Sequence, residues 1–361
     1  MKRRPWHDLP WHVPSDQPDQ IRFDKRPLRR LAAPEYLRMV ATGIAWSPLI
    51  AAGWHQATAC RPDQVSDFIG VAVSPDPRHD HQLPSLVREL GVSRLLVRAP
   101  VWERDDLARL VAFMARFPGV DWVVAVTPNR ASVVCPARWC DDLLRIAAAV
   151  APFTATIQVG QAPNRTKWGC YHLADGLDLL EGAERARRQC PGLRLAGPAV
   201  IDFDPLSTAR MLCNLRDYRL DVVSALLYVD RRGAPENRQY GVFDLANKIR
   251  FTAACAAAGP RAARGAPLWI TEFNWPIERT GDYTPTGDEE CVSEAQAAAY
   301  LTRSYQIAWA TGLVQRLYWW QLVAVGYGLI DPLSGTLRRR PAFEAMRRLL
   351  DGSDAIAPQP G

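Results

Sequence analysis

Two short runs carry the chemistry for which this sequence can be read. PLWITEFNWP (267–276) is an apolar, strand-like run that ends on a carboxylate, Glu272. TIQVGQAPN (156–164) is a second strand-like run with an abrupt polar end, and it carries no acid; the whole stretch between Asp142 and Asp175 lacks Asp and Glu. A carboxylate at the end of a buried strand can close a salt bridge, act as a base or attack an electrophile. Wherever a leaving group must be protonated, a second acid is needed beside it.

The elements that must position these residues alternate from about residue 66 onward. Strand-like runs occur at 67–74, 94–101, 121–128, 154–161, 193–200, 221–229, 267–273 and 316–323. Amphipathic stretches separate them. At 105–117 Leu107, Leu110, Val111 and Met114 recur at helical spacing, and 137–150 repeats the pattern. Longer helices are predicted at 174–189, 205–216, 242–258 and 292–311, with a last one at 341–350. Eight strands, each followed by a helix, in ~285 residues predict an α/β fold of the (β/α)8 TIM-barrel kind. An open doubly wound sheet would ordinarily show a glycine-rich phosphate turn after its first strand, and VAVSPDPRHD has none. A barrel places chemistry at the C-terminal ends of its strands. The polar residues fall there: Arg98, Asn129, Arg130, Gln161, Asn164, Arg165, Tyr228, Asp230, Glu272, Asn274 and Gln321.

An apolar fraction of 48% with 23% charged residues in 361 positions allows a sizeable core and excludes a disordered or fibrous chain. The net charge of +6 comes mainly from arginines in 1–38, at Arg185–Arg188 and at Arg338–Arg340, read as solvated helix ends that favour anionic surfaces. No aromatic-interleaved basic motif accompanies them, so nucleic acid is not an expected partner. The eight cysteines form no C-x-x-C pair and read as free thiols in a reducing compartment. Neither they nor the six histidines form a readable metal site, and no cofactor is expected.

Residues 1–60 form a basic leader, with the barrel expected over 61–361. Within the leader, 39–54 (MVATGIAWSPLIAAGW) is uncharged, contains Pro48 and is short for a spanning helix of about 20 residues. It fits a displaced signal or anchor, an interfacial segment, or a helix packed against the barrel. The expected location is accordingly cytoplasmic or membrane-associated, with export open.

WITEFNWP resembles the seventh-strand nucleophile segment of the clan A retaining glycoside hydrolases, especially the family 39-like enzymes of bacterial polysaccharides. QAPN stands where the fourth strand of that clan ends in Asn-Glu-Pro-Asn. The resemblance spans about 66–350 and implies a carbohydrate ligand. In such enzymes one carboxylate attacks the anomeric carbon while a second, ~5–5.5 Å away, protonates the departing oxygen. The resemblance assigns the nucleophile to Glu272. Aligning Pro163 and Asn164 puts Ala162 in the proton donor's place and Gln161 beside it, and neither has a proton to give.

Further positions follow by the same resemblance. Arg98 would hydrogen-bond the nucleophile and supply positive charge beside it, Asn164 would reach the sugar 2-hydroxyl, and Tyr228 would fix Glu272 or the ring oxygen. Trp319, Trp320 and Gln321 resemble the strand-eight sugar platform, and because side chains alternate, one tryptophan, Trp320, is expected to point inward. Trp168 and Trp275 are candidates for the pocket rim, and Arg165 with Lys167 would suit an anionic sugar. The implied activity is an O-glycosyl hydrolase or transglycosidase. Its hydrolysis would be impaired or diverted unless Glu103 or Asp230 supplies the proton. The other readings are a catalytically silent glycan-binding barrel and an unrelated barrel enzyme in which Glu272 is a base.

Overall fold

The computed structural model describes residues 11–12, 17–18, 26–229, 233–283, 288–333 and 335–356. Eight parallel strands close into a barrel: β1 (Ile69–Ala72), β2 (Arg94–Pro100), β3 (Asp121–Thr127), β4 (Thr156–Val159), β5 (Arg194–Ile201), β6 (Val222–Leu226), β7 (Leu268–Phe273) and β8 (Val314–Trp319). Each pairs with its neighbour in chain order, and β8 returns to β1 through Leu317 opposite Ile69. This is the (β/α)8 architecture that the alternation of elements predicts. Nine helices of eight or more residues are described: α1 (Arg26–Gln56), α2 (Leu83–Leu90), α3 (Leu107–Met114), α4 (Pro136–Val150), α5 (Leu173–Gln189), α6 (Pro205–Leu212), α7 (Leu245–Ala258), α8 (Glu294–Thr311) and α9 (Pro341–Asp351).

Period-two alternation sorts each strand between two environments. Leu95, Val97, Val124 and Ile157 face outward into the layer shared with the helices. Leu96, Val123, Ala125, Ala196, Val222, Trp269, Tyr318 and Trp320 fill the barrel interior. Small residues on several strands leave room for large rings on β7 and β8. Gly70 takes this furthest, since a Cβ there would stand 2.4 Å from the Tyr318 ring. At the base the half-buried Arg316 donates to Asp121 at 2.6 Å and lies 4.3 Å from the centre of the Trp269 ring, so its charge is paired and stacked.

Helix starts are set by side chains that satisfy otherwise orphaned N–H groups. His172 and Asp175 form a reciprocal cap on α5, and Ser293 and Gln296 do so on α8. Asp204 and Asp244 cap α6 and α7 by accepting from Ser207 and Asn247.

The apolar run 39–54 is the second half of α1, which lies against the outer faces of α6 and α7. Ala32, Met39 and Ile50 are buried in that contact. A Cβ at Gly53 would come within 2.6 Å of the Ala254 carbonyl oxygen, so glycine allows the close approach to α7. Glu35, also buried, accepts from Arg210 of α6 at 2.8 Å and from Arg38 at 3.3 Å. No described helix is long and apolar enough to cross a membrane.

The expectation that Arg338–Arg340 are solvated holds for two of the three. Arg338 and Arg339 are exposed, but Arg340 is buried and donates to the carbonyls of Ala324, Val325 and Gly328 while contacting Glu294. It ties down the loop after β8, a role its place in a basic run hides. The cysteines are free thiols, Cys135 exposed and Cys140 buried.

Candidate functional site

Glu272 stands at the C-terminal end of β7, opposite Leu226 of β6, where the β6/β7 pairing slips by one residue. It is 6% exposed, so its carboxylate must find partners within the protein. Arg98 from β2 donates through Nη2 to Oε2 at 2.7 Å, and Gln161 from the loop after β4 donates to the same oxygen at 2.7 Å. Tyr228, just after β6, donates to Oε1 at 2.5 Å. Residues from four strand ends thus converge on one carboxylate, at the barrel end where this architecture places its chemistry.

The donors are themselves held. The guanidinium carbon of Arg98 lies 3.7 Å from the centre of the Trp320 ring and 4.9 Å from that of Trp168. Gln161 accepts from Gln158 at 3.3 Å. The backbone carbonyl of Tyr228 accepts from Lys248 Nζ at 3.3 Å. Lys248, 1% exposed on α7, was not anticipated; the only signal was a lysine at an otherwise apolar helical position in LANKIRF.

Ala162 has a fully buried side chain and a left-handed backbone, φ 42°. It packs with Trp168, Ala199, Leu226 and Tyr228, so this position presents an apolar surface. Lys167, half-buried on the same loop, holds its Nζ 5.6 Å from the centre of the Trp168 ring. Burial pulls its ammonium down to about 8, and the charge of Glu272 is the largest influence opposing that shift. Arg165 is engaged by Asp202 at the surface.

The structure brings Arg98, Gln161, Tyr228 and Trp320 around Glu272, with Trp168 against Arg98, and it gives Asn164 and Gln321 partners at neighbouring strand ends. Asn164 has both side-chain groups taken by the backbone of Ile201, donating to its carbonyl at 3.0 Å and accepting from its N–H at 3.1 Å. It pins the β4 loop to the end of β5. Gln321 donates to Ser74 Oγ at 2.5 Å, joining the ends of β8 and β1. Trp320 faces inward, whereas Trp319 and Trp275 stack with each other outside the sheet at 6.2 Å, against Phe273. Glu103 is exposed in the turn after β2, and Asp230 lies outside the described residues. No group of three or more His, Cys, Asp or Glu suited to a metal ion occurs among the described residues.

Among solved structures, the chain is similar to a GH30 endoxylanase from Clostridium papyrosolvens C71, at 13% identity and a TM-score of 0.57, over 82% of this chain and 74% of that one. It is also similar to a family 39 glycoside hydrolase from Bacteroides cellulosilyticus WH2, at 13% identity and 0.56, over 80% of this chain and 65% of that one. A GH53 catalytic domain from Ignisphaera aggregans matches at 15% and 0.57, over 80% and 98%. What they share with this chain is the barrel fold. No protein-family model and no curated protein matches the sequence.

Proposed function

We propose that the protein is a glycoside hydrolase-like barrel that takes a bacterial polysaccharide or glycoconjugate. In this reading Glu272 is the nucleophile of a retaining mechanism. The observation that carries it is the triple coordination of one buried carboxylate at the end of β7 by Arg98, Gln161 and Tyr228. Two donors on Oε2 fix the plane of the carboxylate, while Tyr228 holds Oε1. A nucleophile so held loses little freedom when it reacts, because its orientation is already set. Attack on an anomeric carbon would release the hydrogen bonds in step with the falling charge on the carboxylate.

Protonating the leaving oxygen is the step for which the β4 loop offers no carboxylate. An apolar Ala162 and an amide at Gln161 favour glycosides whose leaving group is stable as an anion, or transfer to an acceptor that needs no general base. The same two residues support the other reading, a barrel that binds a glycan without cleaving it. Lys167 at this end of the barrel suits a sugar that carries a carboxylate, phosphate or sulfate, whereas the charge of Arg98 is taken by Glu272.

Incubation with activated fluoro-sugar glycosides, followed by mass analysis of the peptide containing Glu272, separates the two readings. A covalent adduct on Glu272 is the expected result. Sugar binding without any adduct, across α- and β-configured probes, would leave the binding module.

A further inference from the structure

Helix α1 carries a second surface that the barrel does not use. Its inner side meets α6 and α7 through Met39, Ile50 and Gly53. On the opposite side, a stripe at helical spacing runs through Arg26, Arg30, Leu37, Ile44, Pro48 and Ala51, all exposed. Leu37 is 74% and Ile44 70% exposed, values at which an aliphatic side chain gains little from the protein's own core. Beside the stripe an apolar groove of about 830 Å³ opens between α1 and the α6–α7 layer, bordered by Ile44, Trp54, Leu206, Val242 and Phe251. Exposed Leu206 and Val242 continue the apolar surface onto the barrel's own helices.

Charge is distributed unevenly along this helix. Its first half holds four arginines, 26, 29, 30 and 38, against one carboxylate, Glu35, which is buried and turned toward Arg210. Its second half has no Asp, Glu, Lys or Arg. The helix descends the flank of the barrel: residues 32–39 lie beside 163–173 and 204–207 near the mouth, and Gly53 meets Ala254 at the far end of α7. The basic end is therefore the end near the barrel mouth.

We propose that α1 docks the protein on an anionic lipid surface. It lies in the interface with its apolar stripe and groove facing the acyl region and its arginines at the headgroups. The helix lies on such a surface rather than across it, because no described helix is long and apolar enough to span. Charge complementarity selects this occupant over a second copy of the chain. Two copies paired antiparallel along α1 would set the arginines of each against the uncharged half of the other, with no exposed carboxylate on either helix to receive them. An anionic headgroup layer supplies that countercharge along the whole basic end.

The test is co-sedimentation of the full chain with vesicles of phosphatidylcholine alone or mixed with about one-third phosphatidylglycerol. The native chain is expected to pellet with the anionic vesicles, less so as salt rises. Leu37→Asp with Ile44→Asp should weaken binding at least tenfold, and Arg26→Glu with Arg30→Glu should remove the preference for anionic lipid. Near-ultraviolet circular dichroism checks the fold, and Leu37→Gln with Ile44→Gln is the milder pair should the aspartates disturb it. A native chain that stays in solution with anionic vesicles overturns the proposal, as does a folded double variant that binds like the native chain. If sedimentation velocity shows a dimer that the double variant abolishes, with no vesicle binding, the face belongs to a second copy.

Discussion

The guanidinium of Arg98 covers a face of Trp320 at 3.7 Å while its Nη2 holds Glu272 at 2.7 Å. One residue thus links the inward ring of the β8 end to the carboxylate of β7. The ring face turned toward Arg98 is not available to a sugar, so any stacking at Trp320 must use what Arg98 leaves. A planar guanidinium can stack and donate at once, which a lysine in the same place cannot do.

Replacing Arg98 with Met keeps most of the volume beside Trp320 but leaves a buried carboxylate without its counter-charge. Removing one partner of a buried pair typically costs about 3–5 kcal/mol. Denaturant unfolding of Arg98→Met should show a loss of that order, and Arg98→Lys should recover only part of it. A loss below about 1 kcal/mol would mean that solvent reaches Glu272 freely.

Glu272→Gln should keep the fold and abolish adduct formation. A glutamine can direct its carbonyl oxygen at Arg98 and Gln161 and its amide at Tyr228, whose hydroxyl is able to accept as well as donate. Every polar atom then keeps a partner, but the buried Arg98 charge loses its counter-charge, so a stability loss of up to the few kcal/mol expected for Arg98→Met should accompany the loss of the adduct. A variant that still forms the covalent adduct removes Glu272 from the chemistry.

The barrel was legible because its signal is repeated: eight apolar runs each end in polar residues, and each agrees with the structure to within a few positions. Glu272, Arg98, Gln161 and Tyr228 could be read because strand ends in a barrel converge on one mouth. Asn164 and Gln321 were placed by motif position, and that position did not show that they tie strand ends together. An amide serves a backbone as well as a sugar, and only the three-dimensional position of Ile201 or Ser74 decides which. Lys248 and Arg340 stayed hidden because their partners are main-chain carbonyls, which leave no trace in side-chain patterning. Pro34 and Pro48 argue against a helix over 26–56, but packing on α6 and α7 outweighs that local cost.

The barrel closes without α1, so residues 61–361 should fold by themselves. They should be less stable than the full chain, because removing α1 uncovers the surfaces around Ala209 and Phe251 and takes Glu35 from Arg210. Thermal melts of the two lengths test this. Equal melting temperatures would show that α1 rests on the barrel without stabilising it, and an unfolded 61–361 would make α1 part of the core.

Lys167 gives the site a pH dependence whose sign is fixed. Its folded value of about 8 lies below the ordinary 10.5, so between the two the unfolded chain binds more protons and stability rises with pH. Ligand binding should run the other way. An anionic sugar keeps its charge across this range, while Lys167 loses its own above about 8. Titration calorimetry with a uronic acid or phosphorylated saccharide should therefore show affinity falling roughly tenfold as pH rises through that value. In Lys167→Met the affinity should be weak and flat, and a native profile equally flat would separate Lys167 from the ligand.

The surroundings of Ala162 determine how the β4 loop should respond to chemistry. With no proton donor there, aryl glycosides with acidic leaving groups should be cleaved far faster than alkyl glycosides, since losing general acid help typically forfeits ~10²–10⁴-fold for poor leaving groups. Deglycosylation should then limit turnover. Azide, an anion that attacks without deprotonation, should accelerate it and yield a glycosyl azide. Placing an acid at this position is not expected to help. Ala162→Glu would bury a carboxylate among Trp168, Ala199, Leu226 and Tyr228, at a position whose side chain is fully buried. The variant should unfold more easily than the native chain and show no gain on alkyl glycosides. Kinetics on matched aryl and alkyl substrates, with and without azide, decide the matter. If the native chain cleaves alkyl glycosides with a bell-shaped pH profile and ignores azide, a carboxyl group from another loop supplies the proton, and Glu103→Gln is the first variant in which that activity should disappear.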